Sequence, residues 1–223
     1  VEFSSFQTPD TYRAHSMPAA PVDVIEKAAE MLRGAKAPVI VIGGGIKNSG
    51  GQAEALALAE ALNTPIIMAP GHGDAIPFGH PLNAGQMGPR GNMVASRLAR
   101  EADVILALGT RLGFNSTFYS YDNINADAAI IQVELEATAI GRYFPIALGI
   151  WAEVREAAKQ LTKAVATLTG RAEVEAWTAQ FKTDRATYLQ QRDADAASDV
   201  FPIQPSGLFK ELRGVLPQDA AIT

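Results

Sequence analysis

Three apolar runs, each closed by a turn rich in glycine or proline, constrain this chain more than any other feature. Pro38-Val39-Ile40-Val41-Ile42 leads into Gly43-Gly44-Gly45, Thr64-Pro65-Ile66-Ile67-Met68 into Ala69-Pro70-Gly71, and Asp103-Val104-Ile105-Leu106-Ala107-Leu108 into Gly109. A strand with one face in water alternates apolar and polar side chains. A short run without alternation, bounded by glycine, reads as a strand buried on both faces. Ala129 to Leu135 is a fourth strand, and Pro145 to Ile150 a weaker fifth.

Helical patterns separate these runs. Val22, Ile25, Ala28, Ala29 and Leu32 recur at helical spacing, and Gly34 follows as a stop. Asn48 or Ser49 can cap a helix reaching about Leu62. Asn92 to Ala102 places Val94, Leu98 and Ala102 on one face, and Ala152 to Leu168 forms a further helix. Strands alternating with helices imply parallel pairing through crossovers. The expected fold class is therefore α/β: a doubly wound, Rossmann-like, mainly parallel sheet of six strands or nearly six, with helices on both faces. Ligands of such sheets sit beyond the carboxyl ends of the strands, near a switch in strand order. The loops after Ile42, Met68 and Leu108 are the places to look.

Three segments follow from this pattern. Residues 1–21 have no clear period and read as a lead-in arm. Residues 22–170 form the α/β domain. Residues 171–223 begin as a charged, exposed helix to about 192, with Trp177, Phe181 and Tyr188 on one stripe. The Asp/Ala/Ser-rich stretch 193–200 reads as linker, and Ser206 can cap a helix to Gly214. Val1 in place of Met, and an apolar Ala220-Ala221-Ile222 that reads as a strand just starting, give the expectation of a piece cut from a longer protein.

Composition removes several classes of function. The chain has 223 residues, 48% hydrophobic and 19% charged, with a net charge of −5, so no basic footprint for nucleic acid exists. No apolar run of about 18 residues is present to span a bilayer. Residues 1–5 lack the basic start of a signal peptide. There is no cysteine, which removes disulfides, thiolate nucleophiles and cysteine-based zinc sites. A cytoplasmic location is the expectation. The histidines, His15, His72 and His80, have no metal-ligand spacing. Neither a GxSxG elbow nor a GxxxxGK[ST] loop occurs.

The candidate binding motifs each carry two readings. Gly43-Gly44-Gly45 lies between a strand and a helix, where backbone N–H groups can point at an anion. Asn48 stands where a third fingerprint glycine belongs, and a tight structural turn explains the glycines equally. Gly109-Thr110-Arg111 offers an arginine that can clamp a phosphate or simply lie on the surface. Pro89-Arg90-Gly91 precedes a helix and combines free amides with a cation. Glu134 and Glu136 alternate at a strand end, where a carboxylate can accept from ribose hydroxyls or stand in solvent. His72 can face a substrate or be a hydrogen-bonded loop histidine.

Several segments, in order, resemble the central domain of thiamine-diphosphate enzymes of the acetolactate synthase and glyoxylate carboligase type. They are VIVIGGGIKNSGG, TPIIMAPGHGDAIPFGHPLNAGQMGPRG, EADVILALGTRLGFNST and IIQVELEATAIGRYFPIALGI. The similarity covers nearly the whole chain. Tyr12-Arg13 resembles the segment leaving the family's first domain, and Phe201 to Thr223 the start of its third.

The resemblance implies a parent carboligase or decarboxylase that acts on a 2-oxo acid or related donor. Its thiamine diphosphate and Mg²⁺ would be held by the first and third domains, outside this chain. It implies no catalytic residue here, an isolated chain without activity, N- and C-terminal domains as partners, and a homo-oligomer. It further implies that the domain binds FAD, ADP or nothing. Carried over by position, the contacts fall on Gly43, Gly44 and Gly45, on Pro89, Arg90 and Gly91, on Gly109, Thr110 and Arg111, and on Glu134, where flavin-binding members carry aspartate. An NAD-binding module of a dehydrogenase is the alternative, although Met68-Ala69-Pro70 lacks the acidic residue it needs. A non-catalytic interaction domain is a third possibility.

Overall fold

The computed structural model describes residues 8, 16–167, 171–197, 201–217 and 220. Its centre is one six-stranded sheet. The strands are β1 (Pro38–Ile42), β2 (Ile66–Met68), β3 (Asn83–Gln86), β4 (Val104–Leu108), β5 (Ala129–Glu134) and β6 (Leu148–Trp151), in the order β3-β2-β1-β4-β5-β6. Every pairing is parallel. The chain starts in the middle at β1, builds outward to β3, and returns to place β4 on the other side of β1. The junction of β1 and β4 is thus the point where the winding reverses.

The buried strands divide their side chains between two layers by alternation. Ile40, Ile42, Leu106 and Leu108 point into one core with α1 (Val22–Gly34), α3 (Gln52–Leu62) and α6 (Val154–Val165). Val39, Val41, Ile105 and Ala107 point into the other, against α4 (Met93–Glu101) and α7 (Ala172–Ala196).

Helix α7 corrects the expectation of an exposed linker helix. Trp177, Phe181 and Tyr188 do share a stripe, but the stripe lies on the sheet. Phe181 is fully buried, a burial worth about 1.5–3 kcal/mol. The Trp177 indole N–H donates to Pro38 O at 2.9 Å, and Thr178 Oγ1 donates to Asn63 O at 2.6 Å. Arg171 donates to Leu32 O at 2.7 Å and Ala35 O at 2.8 Å, closing the open end of α1. Helix α4 covers only part of this face, and α7 packs beside it together with Leu112, Ile124 and Phe144 from the loops. It runs on to Ala196, into the stretch read as linker.

Strand β3 lies inside the long loop after β2 and has no apolar run to announce it. It is an edge strand of Asn83-Ala84-Gly85-Gln86, with a register shift against β2 between Ile66 and Ile67. The capping expectations also change. Helix α2 (Gly44–Ser49) begins directly on the glycine turn, ends at left-handed Gly50, and is separate from α3, whose N-cap is Gly51. Neither Asn48 nor Ser49 caps α3; the Ser49 hydroxyl donates back to Ile46 O. Helix α8 (Pro205–Val215) starts on Pro205 with Gln204 as N-cap, because proline suits the first turn and Ser206 is already inside it. Tyr12, Arg13, His15 and the strand start at 221–223 lie outside the described residues.

Candidate functional site

The turns that end β1 and β4 meet backbone to backbone at the switch point. The Gly43 N–H donates to Leu108 O at 3.1 Å and the Gly45 N–H to Gly109 O at 3.0 Å. A β-carbon on Gly43 would stand 2.6 Å from Gly109 O, and one on Gly45 would stand 2.6 Å from Gly109 Cα. Gly109 itself has φ +59°, a conformation that disfavours side chains. The glycines are therefore the condition for β1 and β4 to lie side by side with closed turns.

Above this contact opens a cleft of about 530 Å³, within the usual range for small-molecule sites. Of the residues expected to bind, Gly43, Gly44, Gly45, Gly109, Thr110, Arg111 and Glu134 line it. Pro89, Arg90 and Gly91 do not. They form the turn before α4, where the Gly91 N–H donates to Gly88 O at 2.8 Å and Asn92 Oδ1 accepts from the Ala95 N–H at 2.8 Å as a cap.

The charges at the rim are paired with each other. Arg111 Nη2 donates to Glu136 Oε2 at 2.5 Å, and both side chains are about half exposed. The Glu136 carboxyl is held below its ordinary range, first by the Thr138 hydroxyl that donates to it and then by Arg111. Glu134 Oε1 accepts from the amides of Leu135 at 2.9 Å and Glu136 at 3.4 Å. The two carboxylates were expected on one face of a strand, but β5 ends at Glu134, and Glu136 lies beyond it.

Part of the lining is aromatic, and the residue pattern did not single it out. Phe114, Tyr119 and Tyr143 line the cleft. The Tyr119 and Tyr143 rings are 4.6 Å apart, and Phe114 lies 5.6 Å from Tyr119. Hydrogen bonding with Tyr143 pushes the Tyr119 phenol above its usual pKa. Phe118 and Tyr119 both take positive φ, 52° and 56°, a conformation that strains bulky side chains. The density of rings at Phe114, Phe118, Tyr119 and Tyr121 was the available signal. His72 also reaches the cleft, with its ring 3.1 Å from where a Gly44 β-carbon would lie. Among the described residues no group of three or more His, Asp or Glu is placed to hold a metal ion.

Residues 25–161, from α1 through every strand to α6, match the thiamine pyrophosphate enzyme central-domain family. The chain belongs to that family. As a central domain it is similar to a probable sulfoacetaldehyde acetyltransferase of Rhizobium meliloti, 34% identical over 92% of this chain and 38% of that protein. It is similar to a sulfoacetaldehyde acetyltransferase of Roseovarius nubinhibens, 32% identical over 92% of this chain and 37% of that protein. A probable acetolactate synthase large subunit of Methanococcus aeolicus is 26% identical over 86% of this chain and 33% of that protein. The central domain thus spans under two fifths of the length of these curated relatives. Among its described residues no helix is long and apolar enough to cross a membrane.

Proposed function

We propose that this chain is the middle domain of a thiamine-diphosphate-dependent acyl-transferring enzyme, nearest in chemistry to sulfoacetaldehyde acetyltransferase. The observation that carries the reading is the central-domain match over residues 25–161, which coincides with the parallel sheet and its helices. The two acetyltransferase relatives, each aligned over 92% of the chain, favour that chemistry over acetolactate synthesis. Thiamine diphosphate with Mg²⁺, bound by segments outside this chain, would supply a stabilised acyl carbanion equivalent.

In this reading the chain's residues build a rigid scaffold and carry no catalytic group. Residues 1–21 lead in from an N-terminal domain and residues 171–223 lead out toward a C-terminal one. Because α7 packs into the sheet's second layer, the folded unit extends to about 197 rather than 170. The parent protein is cytoplasmic and homo-oligomeric. Gly43 to Gly45, Gly109 to Arg111 and Glu134 form its switch-point cleft, with Pro89 to Gly91 bracing α4.

The test joins this chain to the remaining segments of its gene, loads the protein with thiamine diphosphate and Mg²⁺, and follows consumption of sulfoacetaldehyde and of pyruvate. Thiamine-dependent loss of sulfoacetaldehyde is expected, with no turnover by the isolated chain. Turnover by the isolated chain, or no thiamine-dependent reaction with either compound, overturns the proposal.

A further inference from the structure

We infer that the switch-point cleft does not hold FAD or ADP, because the chain's own groups occupy the positions that would grip the phosphates. A diphosphate in an α/β sheet is held by free backbone amides at a glycine turn, by close approach over a missing β-carbon, and by a cation. The chain itself uses the cation, the spaces beside the glycines and most of the amides.

The amides come first. In the turn Gly43 to Ile46, the N–H of Gly43 goes to Leu108 O, that of Gly45 to Gly109 O, and that of Ile46 to Gly43 O, at 3.0–3.2 Å. In the second turn the Gly109 N–H donates to Val133 O at 3.0 Å, and the Leu112 N–H donates to Thr110 Oγ1 at 3.4 Å. Only a minority of the donors at these turns can face a ligand.

The missing β-carbons have protein neighbours. The spaces beside Gly43 and Gly45 are filled by Gly109 and Thr110, and the space beside Gly44 by the His72 ring. At the α4 turn, a β-carbon on Gly91 would meet Gln86 O at 2.2 Å. None of these glycines leaves a gap shaped for a phosphate.

The cation is engaged as well. Arg111 is the one arginine or lysine among the described residues lining the cleft, and it is bonded to Glu136. Glu134 adds a negative charge to the lining of the cleft. Arg90, the other candidate, does not reach the cleft.

Isothermal titration of the 223-residue chain with FAD and with ADP, alongside its visible spectrum after purification, tests the inference. Near-ultraviolet circular dichroism from the tyrosine pair first establishes that the chain is folded. The expected result is a colourless protein with no saturable binding of either compound up to about 1 mM, weaker than about −4 kcal/mol of binding free energy. Saturable binding below that concentration, or flavin absorbance that survives dialysis, overturns the inference. The assembled enzyme separates the two proposals. Thiamine-dependent turnover with bound FAD sinks this inference alone, and a flavin-free protein without turnover sinks only the functional one.

Discussion

Gly45 and Gly109 occupy each other's side-chain space: a β-carbon on either would stand 2.6 Å from the Cα of the other. The contact joins the carboxyl ends of two parallel strands, β1 and β4, at the point where the winding of the sheet reverses. Neither backbone can yield without opening the turn it closes.

Gly45→Ala and Gly109→Ala are therefore expected to destabilise the domain. Overpacking against backbone costs about 1–3 kcal/mol, and alanine at Gly109 adds left-handed strain of about 1 kcal/mol. Thermal unfolding should show losses of roughly 2–12 °C for Gly45→Ala and roughly 4–16 °C for Gly109→Ala, at about 2–4 °C per kcal/mol for a chain of this size. Unchanged melting would mean that the two turns can separate freely.

Phe181→Ala should cost about 3–5 kcal/mol, the usual range for emptying a buried aromatic site. Urea unfolding would measure it. A loss below about 0.5 kcal/mol, typical of surface positions, would return α7 to the status of an appended linker.

Stability should fall with acid through Glu54. Its carboxyl is held below the usual 4.5, first by the hydrogen bond from Arg155, whose Nε donates to Glu54 Oε1 at 2.6 Å. A carboxyl with a depressed folded pKa stabilises the fold above its unfolded value. That contribution fades as pH drops from about 4.5 through the folded value. Urea midpoints between about pH 6 and pH 3 should decline for the natural chain and decline less for Arg155→Met, which removes the donor. Equal slopes would show that the pair has no part in the acid response.

The Tyr119 phenol, raised by its hydrogen bond with Tyr143, should titrate above the ordinary tyrosine range. Phenolate absorbance would show a component above the ordinary value of 10. In Tyr143→Phe that component should move down toward 10. Persistence of the high component in the variant would assign it to another residue.

Legibility in the sequence followed burial symmetry. β1, β2 and β4 were readable because strands covered on both faces are apolar throughout, as Val104 to Leu108 are, while β5 showed itself by its apolar start, Ala129 to Ile131, before the buried Gln132. β3 was hidden because an edge strand with a polar, glycine-bearing sequence leaves no periodic trace. The ring stripe of α7 was visible, but its direction was not: a stripe on a charged helix shows which residues share a face and not what that face meets. The site divided the same way. Gly43 to Gly45 and Gly109 were recognisable as turns at strand ends, and seven of the ten expected binding residues converge on one cleft.

By itself the sequence determined the layered α/β architecture and the strand ends where a cleft would form, because these depend on local periodicity and on glycine at fixed chain positions. Only the tertiary structure decided which partner fills each glycine's missing β-carbon, which charges face Arg111, and that α7 roofs the second layer. Those contacts join residues far apart in the chain, such as Arg171 with Leu32 and Gly45 with Gly109. Packing, rather than local preference, sets their geometry.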